Sequence, residues 1–169
     1  MKVDIHFFPQ NIEELLLKEK TVVVVDVLRA STSITTAIYN GAKEVVPVTT
    51  VAEAGKIAAN TGGSVVLGGE RNGVKIEGFH IGNSPTEYTI EKVKNKTVVF
   101  SSTNGSVALA KTKFAKFSLV GSFVNVSLVA DFLIQRNEDF MIICAAKHNT
   151  FCIEDTVCAE MIISKVADQ

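Results

Sequence analysis

The sequence is poor in cysteine, and the three it has, Cys144, Cys152 and Cys158, include no close-spaced pair of the kind that zinc and iron–sulfur sites use. Bridging any two would strand the third, so the thiols read as reduced, in a cytoplasmic protein. Net charge is nearly absent, with 17 basic against 18 acidic side chains. No long basic run and no basic patch interleaved with aromatics occurs, which argues against a nucleic-acid partner. No apolar run approaches the roughly 20 residues needed to cross a bilayer. The opening Met1-Lys2-Val3-Asp4-Ile5-His6 is strand-like and broken by charge, unlike a signal peptide. Internal repeats, low-complexity tracts and linkers are missing too. Neither a Walker loop nor a Gly-x-Gly-x-x-Gly turn follows any apolar run, which disfavours a nucleotide-dependent transferase.

What is present is apolar patterning. With 169 residues, 47% of them hydrophobic, the chain can bury one core and reads as a single domain over residues 1–169. The central stretch is Val22-Val23-Val24-Val25-Asp26-Val27-Leu28-Arg29-Ala30-Ser31-Thr32-Ser33, a β-branched run of the type buried on both faces, ending in an acid, a base and a hydroxyl cluster. Further strands are expected at 2–8, 44–48, 64–67, 97–100, 117–120 and 140–144. Helices are expected at 11–17, 33–40, from Thr50, from Ser84, up to Lys111, from Asn125 to 135, and over 153–166. Capping boxes are read at Asn11/Glu14, Thr50/Glu53 and Ser84/Glu87, and Asn125 as a cap. Strands alternating with helices over short links predict an α/β fold: three layers, α/β/α, around a mostly parallel doubly wound sheet. The high apolar content is compatible with a homodimer.

Four strand ends are unusually polar: Asp26 to Arg29, Gly69 to Asn72, Ser101 to Gly105, and Lys147 to Asp155. In a parallel sheet all four would gather at one edge, where open α/β sheets bind ligands. Carboxylates there can hold a hard cation, and guanidinium and N–H groups can balance a phosphate, the set that phosphoryl transfer requires. Each piece also has a plain structural reading. Asp26 can cap a turn, Gly68-Gly69 can be a turn, Glu70 and Arg71 can pair at the surface, Thr103 or Asn104 can cap a helix, and Glu154 and Asp155 suit any helix start. His6, His80, His148 and Cys152 read as loop, strand or packing residues, with His80 the histidine nearest the candidate site.

The motifs Val25-Asp26-Val27-Leu28-Arg29-Ala30-Ser31-Thr32-Ser33, Leu67-Gly68-Gly69-Glu70-Arg71-Asn72-Gly73 and Gly78-Phe79-His80-Ile81-Gly82-Asn83-Ser84-Pro85 resemble the 2-phosphosulfolactate phosphatase family. So do Ser102-Thr103-Asn104-Gly105, Gly121-Ser122-Phe123-Val124-Asn125 and Phe151-Cys152-Ile153-Glu154-Asp155-Thr156-Val157-Cys158-Ala159. The resemblance implies a Mg²⁺-dependent phosphatase that hydrolyses 2-phospho-3-sulfolactate, a small anionic phosphate ester, to 3-sulfolactate and phosphate in coenzyme M biosynthesis. It implies catalytic roles for Asp26, Arg29, Glu70 and Asp155. Metal ligation falls to Asp26, Glu70, Asp155 and Glu154. Substrate contacts fall to Arg29, Ser31, Thr32, Arg71, Thr103, Asn104 and Gly105, with Arg71 on the sulfonate or carboxylate. His80 stands where the family is expected to place an acid, Ala146 and Cys152 where glycine and serine are expected, and the family's chains are expected to run on past residue 169. Two alternatives stand beside this reading: a non-catalytic module binding an anion or nucleotide, and a phosphatase for another small phospho-acid. Hydrolysis should vanish with a chelator, whereas simple anion binding should not.

Overall fold

A computed structural model describes the chain except residues 148, 149 and 169 and the side chain of Asn11; the readings placed on His148 and on capping by Asn11 lie outside the described residues. The fold is α/β with three layers, mostly parallel strands and helices on both sides. Its strands divide into two four-stranded sheets. In the first, β1 (Val3–His6), β8 (Phe140–Cys144), β2 (Thr21–Val25) and β7 (Phe117–Gly121) lie side by side, all parallel. In the second, β3 (Glu44–Val48), β6 (Thr97–Ser101) and β4 (Val65–Arg71) are parallel, and the two-residue β5 (Val74–Lys75) closes an antiparallel hairpin on β4. Pro47 helps explain why β3 ends its sheet: without an N–H it cannot serve a further ladder.

The valine run of β2 is buried throughout because both its faces are covered. Val23 and Val25 pack with Leu133 of α5 (Val126–Arg136) and Ile162 of α6 (Ile153–Ala167), while Val22 and Val24 pack with Leu17 and Ala108 on the other side. The crossover helices tie the two sheets together. Helix α1 (Ala30–Tyr39) leaves β2 of the first sheet yet packs Ala30, Ile34 and Ala37 on Val66, Val98 and Phe100 of the second. Helix α4 (Gly105–Lys111) leaves β6 of the second sheet, and its Ala108 packs on the first. Helix α2 (Val51–Asn60) and the one-turn α3 (Ile90–Val93) cover opposite faces of the second sheet through Ala54 and Val93.

Several local expectations shift. Residues 11–17 form two 3-10 turns, Pro9–Asn11 and Glu14–Leu17, rather than one helix, with Leu17 buried and Leu15 and Leu16 in solvent. The Thr50 cap is present, its hydroxyl accepting the Glu53 N–H. Ser84 starts only a 3-10 turn, because the Glu87 carboxylate turns back to the N–H of Gly82. Asn125 precedes α5 without capping it: its amide bridges Ser122 and Val120 instead. Strand β4 runs four residues beyond its expected end, so Gly68-Gly69 is strand and not turn. Gly69 sits at φ +143° so close to β6 that a Cβ would meet the Ser101 carbonyl oxygen. Only glycine fits there.

Candidate active site

The carboxyl ends of β2, β8, β4 and β6 and the start of α6 surround one cleft of about 390 Å³, a volume suited to a small molecule. Asp26, Arg29, Glu70, Thr103, Asn104, Glu154 and Asp155 all line it, so seven of the expected residues come together from four separate segments. The meeting point is tight. A Cβ on Gly105 would lie 2.5 Å from both the Asp26 Oδ2 and the Ala30 Cβ, so glycine lets the start of α4 close against the start of α1.

Asp26 follows β2 directly. Its Oδ1 accepts the N–H of Ala30 at 3.2 Å, and its own N–H is held by the Ser31 hydroxyl at 2.9 Å. Burial pushes its pKa up to about 6, against hydrogen bonds from the Ala30, Gly105 and Arg29 N–H groups and with help from the Glu70 charge. Asp155, 3% exposed in the first turn of α6, accepts the Val27 N–H on Oδ1 at 2.8 Å. Burial first, and then the charges of Asp26 and Glu154, lift it to about 7, with the N–H groups of Val27 and Ala146 opposing. Asp26 and Asp155 therefore repel each other across a poorly hydrated wall. Arg29 and Lys147 are the cationic residues of the lining.

Glu70 is 7% exposed and fully engaged. Its Oε1 accepts the Thr103 N–H at 2.6 Å, and its Oε2 accepts the Gly73 N–H at 2.6 Å and the Thr103 hydroxyl at 3.0 Å. The Thr103 hydroxyl in turn accepts the Asn72 N–H. Glu70 thereby ties the β4–β5 turn to the loop after β6.

Ser31, Thr32, Arg71 and Gly105 do not line the cleft. The Ser31 hydroxyl holds the Asp26 N–H and the Val24 carbonyl, and the Thr32 hydroxyl donates to Val27 O at 2.8 Å. The Arg71 guanidinium donates to Thr49 O, to the Ser101 hydroxyl and to its neighbour's carbonyl at Glu70, so it braces the sheet from behind. Gly105 acts on Asp26 through its N–H and its missing side chain. His80 is exposed and outside the lining, its Nδ1 accepting the Leu67 N–H. Cys152 lines the cleft, but burial and the neighbouring carboxylates push its thiol up to about 11, which suits packing and not nucleophilic attack. Cys144 and Cys158 are core residues. Asn104 sits at the N-cap position of α4, and just before it the Ser102 hydroxyl accepts the Ser106 N–H at 2.9 Å.

The lining also contains Leu28, Asn72, Gly73, Asn83, Ala146 and Lys147, none of them proposed from sequence. Asn72 and Gly73 carry a usable signal, since an Asn-Gly pair between two short strands marks a tight hairpin. Asn83 and Lys147 lie inside segments that were legible as polar, without marking themselves.

Among the described residues, no three His, Cys, Asp or Glu side chains gather closely enough to hold a metal alone. That does not disqualify Mg²⁺, which keeps several waters and commonly takes one or two carboxylates. The desolvated, mutually repelling pair Asp26 and Asp155 is a donor set that a divalent cation would relieve. The family model for 2-phosphosulpholactate phosphatase matches residues 6–169. The chain belongs to that family. It is 44% identical over 169 residues to a protein of Clostridium acetobutylicum named as a probable 2-phosphosulfolactate phosphatase, covering all of this chain and 72% of that one. It is 46% identical over 157 residues to a protein of the same name from Caldanaerobacter subterraneus subsp. tengcongensis, covering 92% of this chain and 65% of the relative. A Clostridium novyi relative, named alike, is 43% identical over 163 residues, or 69% of its own length. The chain thus spans 65–72% of the length of these relatives. No described helix is long and apolar enough to cross a membrane.

Proposed function

We propose that this family member hydrolyses 2-phospho-3-sulfolactate to 3-sulfolactate and phosphate with Mg²⁺ as its cofactor, a step of the kind that leads to coenzyme M. The observation that carries the reading is the pairing of Asp26 and Asp155, two carboxylates with raised pKa, with Arg29 in one cleft at the strand ends. Perturbed acids converging in a cleft are a mark of catalytic sites. The names of the relatives supply the substrate.

Charge argues for the cation. The substrate carries a phosphate of nearly two negative charges, a carboxylate and a sulfonate. The lining sets four carboxylates, Asp26, Glu70, Glu154 and Asp155, against Arg29 and Lys147. Such a surface takes up a polyanion only with a counter-cation. Asp26 would hold Mg²⁺, with Glu154 reaching it through water, and the bound ion would polarise a phosphoryl oxygen. Arg29 offers a planar fork that matches two phosphate oxygens and steadies the charge that develops on them. Asp155, whose carboxyl accepts the N–H groups of Val27 and Ala146, has its pKa raised to about 7, and such a group can both hold and release a proton at neutral pH. It gives that proton to the ester oxygen as the P–O bond breaks. The oxygen of water bonds to phosphorus, one of its protons stays on the phosphate, and the other passes through solvent to restore the proton on Asp155. Glu70 is a positioning residue that fixes Thr103 and Gly73.

The test is phosphate release from 2-phosphosulfolactate with Mg²⁺ and with excess chelator. Release with Mg²⁺ that stops with chelator is expected. Equal release in both would overturn the cofactor, and no release with substrate bound would overturn the phosphatase reading in favour of an anion-binding module.

A further inference from the structure

Asn83 lines the cleft at 6% exposure, and its side-chain Oδ1, shielded from solvent, accepts no hydrogen bond from any described group. Buried polar atoms are nearly always partnered, so an orphan at a ligand site calls for an explanation. Its main chain is held in place. The Ser33 hydroxyl donates to its carbonyl at 2.9 Å, and the preceding Gly82 is held by the Tyr88 hydroxyl at 2.8 Å, the Gly69 N–H at 3.1 Å and the Glu87 carboxylate at 2.9 Å. Thr21 Oγ1, also unpartnered, starts β2 at the far end of the strand from the cleft, so the same explanation does not extend to it.

An amide oxygen needs a donor or a cation. The substrate of the proposed reaction offers neither: phosphate, carboxylate and sulfonate present only acceptor oxygens once ionised. A hard divalent cation accepts this ligand well, and a neutral oxygen adds a bond without adding to the repulsion between Asp26 and Asp155. We infer that Asn83 Oδ1 is a neutral oxygen ligand of the cation that Asp26 would hold in the same cleft. The inference rests on the Mg²⁺ reading above and adds a ligand to it.

Mn²⁺ binding, followed by the electron paramagnetic resonance signal of the free ion, tests it in the absence of substrate. Wild-type protein is compared with Asn83→Ala and with Asn83→Ser, the gentler variant should alanine fail to fold, and each metal-free protein is unfolded in urea. Both variants should bind Mn²⁺ at least about tenfold more weakly, with metal-free midpoints unchanged or higher, because the deleted oxygen had no partner. Wild-type affinity in a folded variant would overturn the ligand role while leaving the cation reading intact. A fall in affinity matched by a fall in the metal-free midpoint would overturn it in favour of a structural role. Failure of the wild-type protein itself to bind Mn²⁺ would overturn the cation reading and this one with it.

Discussion

On the β4–β6 side of the cleft, Glu70 receives two N–H groups and a hydroxyl within 3.0 Å, all from the turn and loop that it joins. On the β2–β8 side, Asp155 is as deeply buried but faces the charges of Asp26 and Glu154, and burial lifts its pKa to about 7. The two walls carry the same functional group under opposite conditions. A carboxylate whose lone pairs are met by donors from two segments serves as a brace. One that is desolvated and crowded by like charge is poised to take up a proton or a cation. Sequence shows two acids in polar strand ends; hydrogen bonding decides which is scaffold and which is reactive.

The contrast breaks most visibly at Asp26. Asp26→Asn removes the charge but sets an amide NH₂ against an N–H of Gly105 or Arg29, so phosphate release from 2-phosphosulfolactate should fall on the order of 10³-fold, with the urea midpoint little changed as relief of the buried charge offsets the lost bond. Near-normal turnover would end its assignment to the reactive wall. Glu70→Gln should do the reverse. It sets an amide NH₂ against the N–H of Thr103 or Gly73, and losing those charge-assisted bonds should lower unfolding free energy by about 3 kcal/mol. A urea titration showing no loss would mean that Glu70 is not the brace described.

The arginines sharpen the same comparison. Arg29 lines the cleft, and Arg71 is bound to Thr49, Ser101 and the Glu70 carbonyl behind it. Arg29→Ala should raise KM about 50-fold, the loss of a charge-assisted fork on the phosphate, with little change in stability. Arg71→Ala should cost about 1–2 kcal/mol in stability and leave KM within a few-fold. Steady-state kinetics beside urea unfolding on both variants checks the pair, and a larger KM effect at Arg71 would restore it as the substrate-binding residue.

Much of the fold was legible because its signals are local. The β-branched run of β2, the run of β8, the Thr50 cap and the polar strand ends each depend on neighbours in sequence. What was not legible depends on contacts between distant segments. Gly68-Gly69 reads as a turn until Ser101 is seen pressed against Gly69. Glu70 reads as a metal ligand and Arg71 as a substrate contact until the partners of each are known. Asn125 reads as a cap because its residue type favours caps, yet Ser122 and Val120 claim its amide. The division into two sheets depends on which strand pairs stop at β3 and β7, and only Pro47 hints at that stop.

The smallest effect concerns pH, and its sign follows from the reactive wall. Folding raises Asp26 to about 6 and Asp155 to about 7 from an ordinary value of 3.8. Between about pH 4 and 7 the folded chain therefore binds more protons than the unfolded one at these two groups, and their contribution to stability falls as pH rises. Above about pH 7 both are ionised in either state and the loss is complete. Asp155→Asn keeps an oxygen for the Val27 N–H but cannot ionise, so the metal-free variant should gain on the order of 1–2 kcal/mol relative to wild type between pH 4 and pH 8. Urea unfolding at the two pH values measures the difference. Saturating Mg²⁺ should stabilise both proteins, since Asp26 is present in each and a ligand bound only by the folded state adds its binding free energy to folding. Parallel pH profiles for the two proteins would mean that Asp155 is a second brace, and that the walls of the cleft are alike after all.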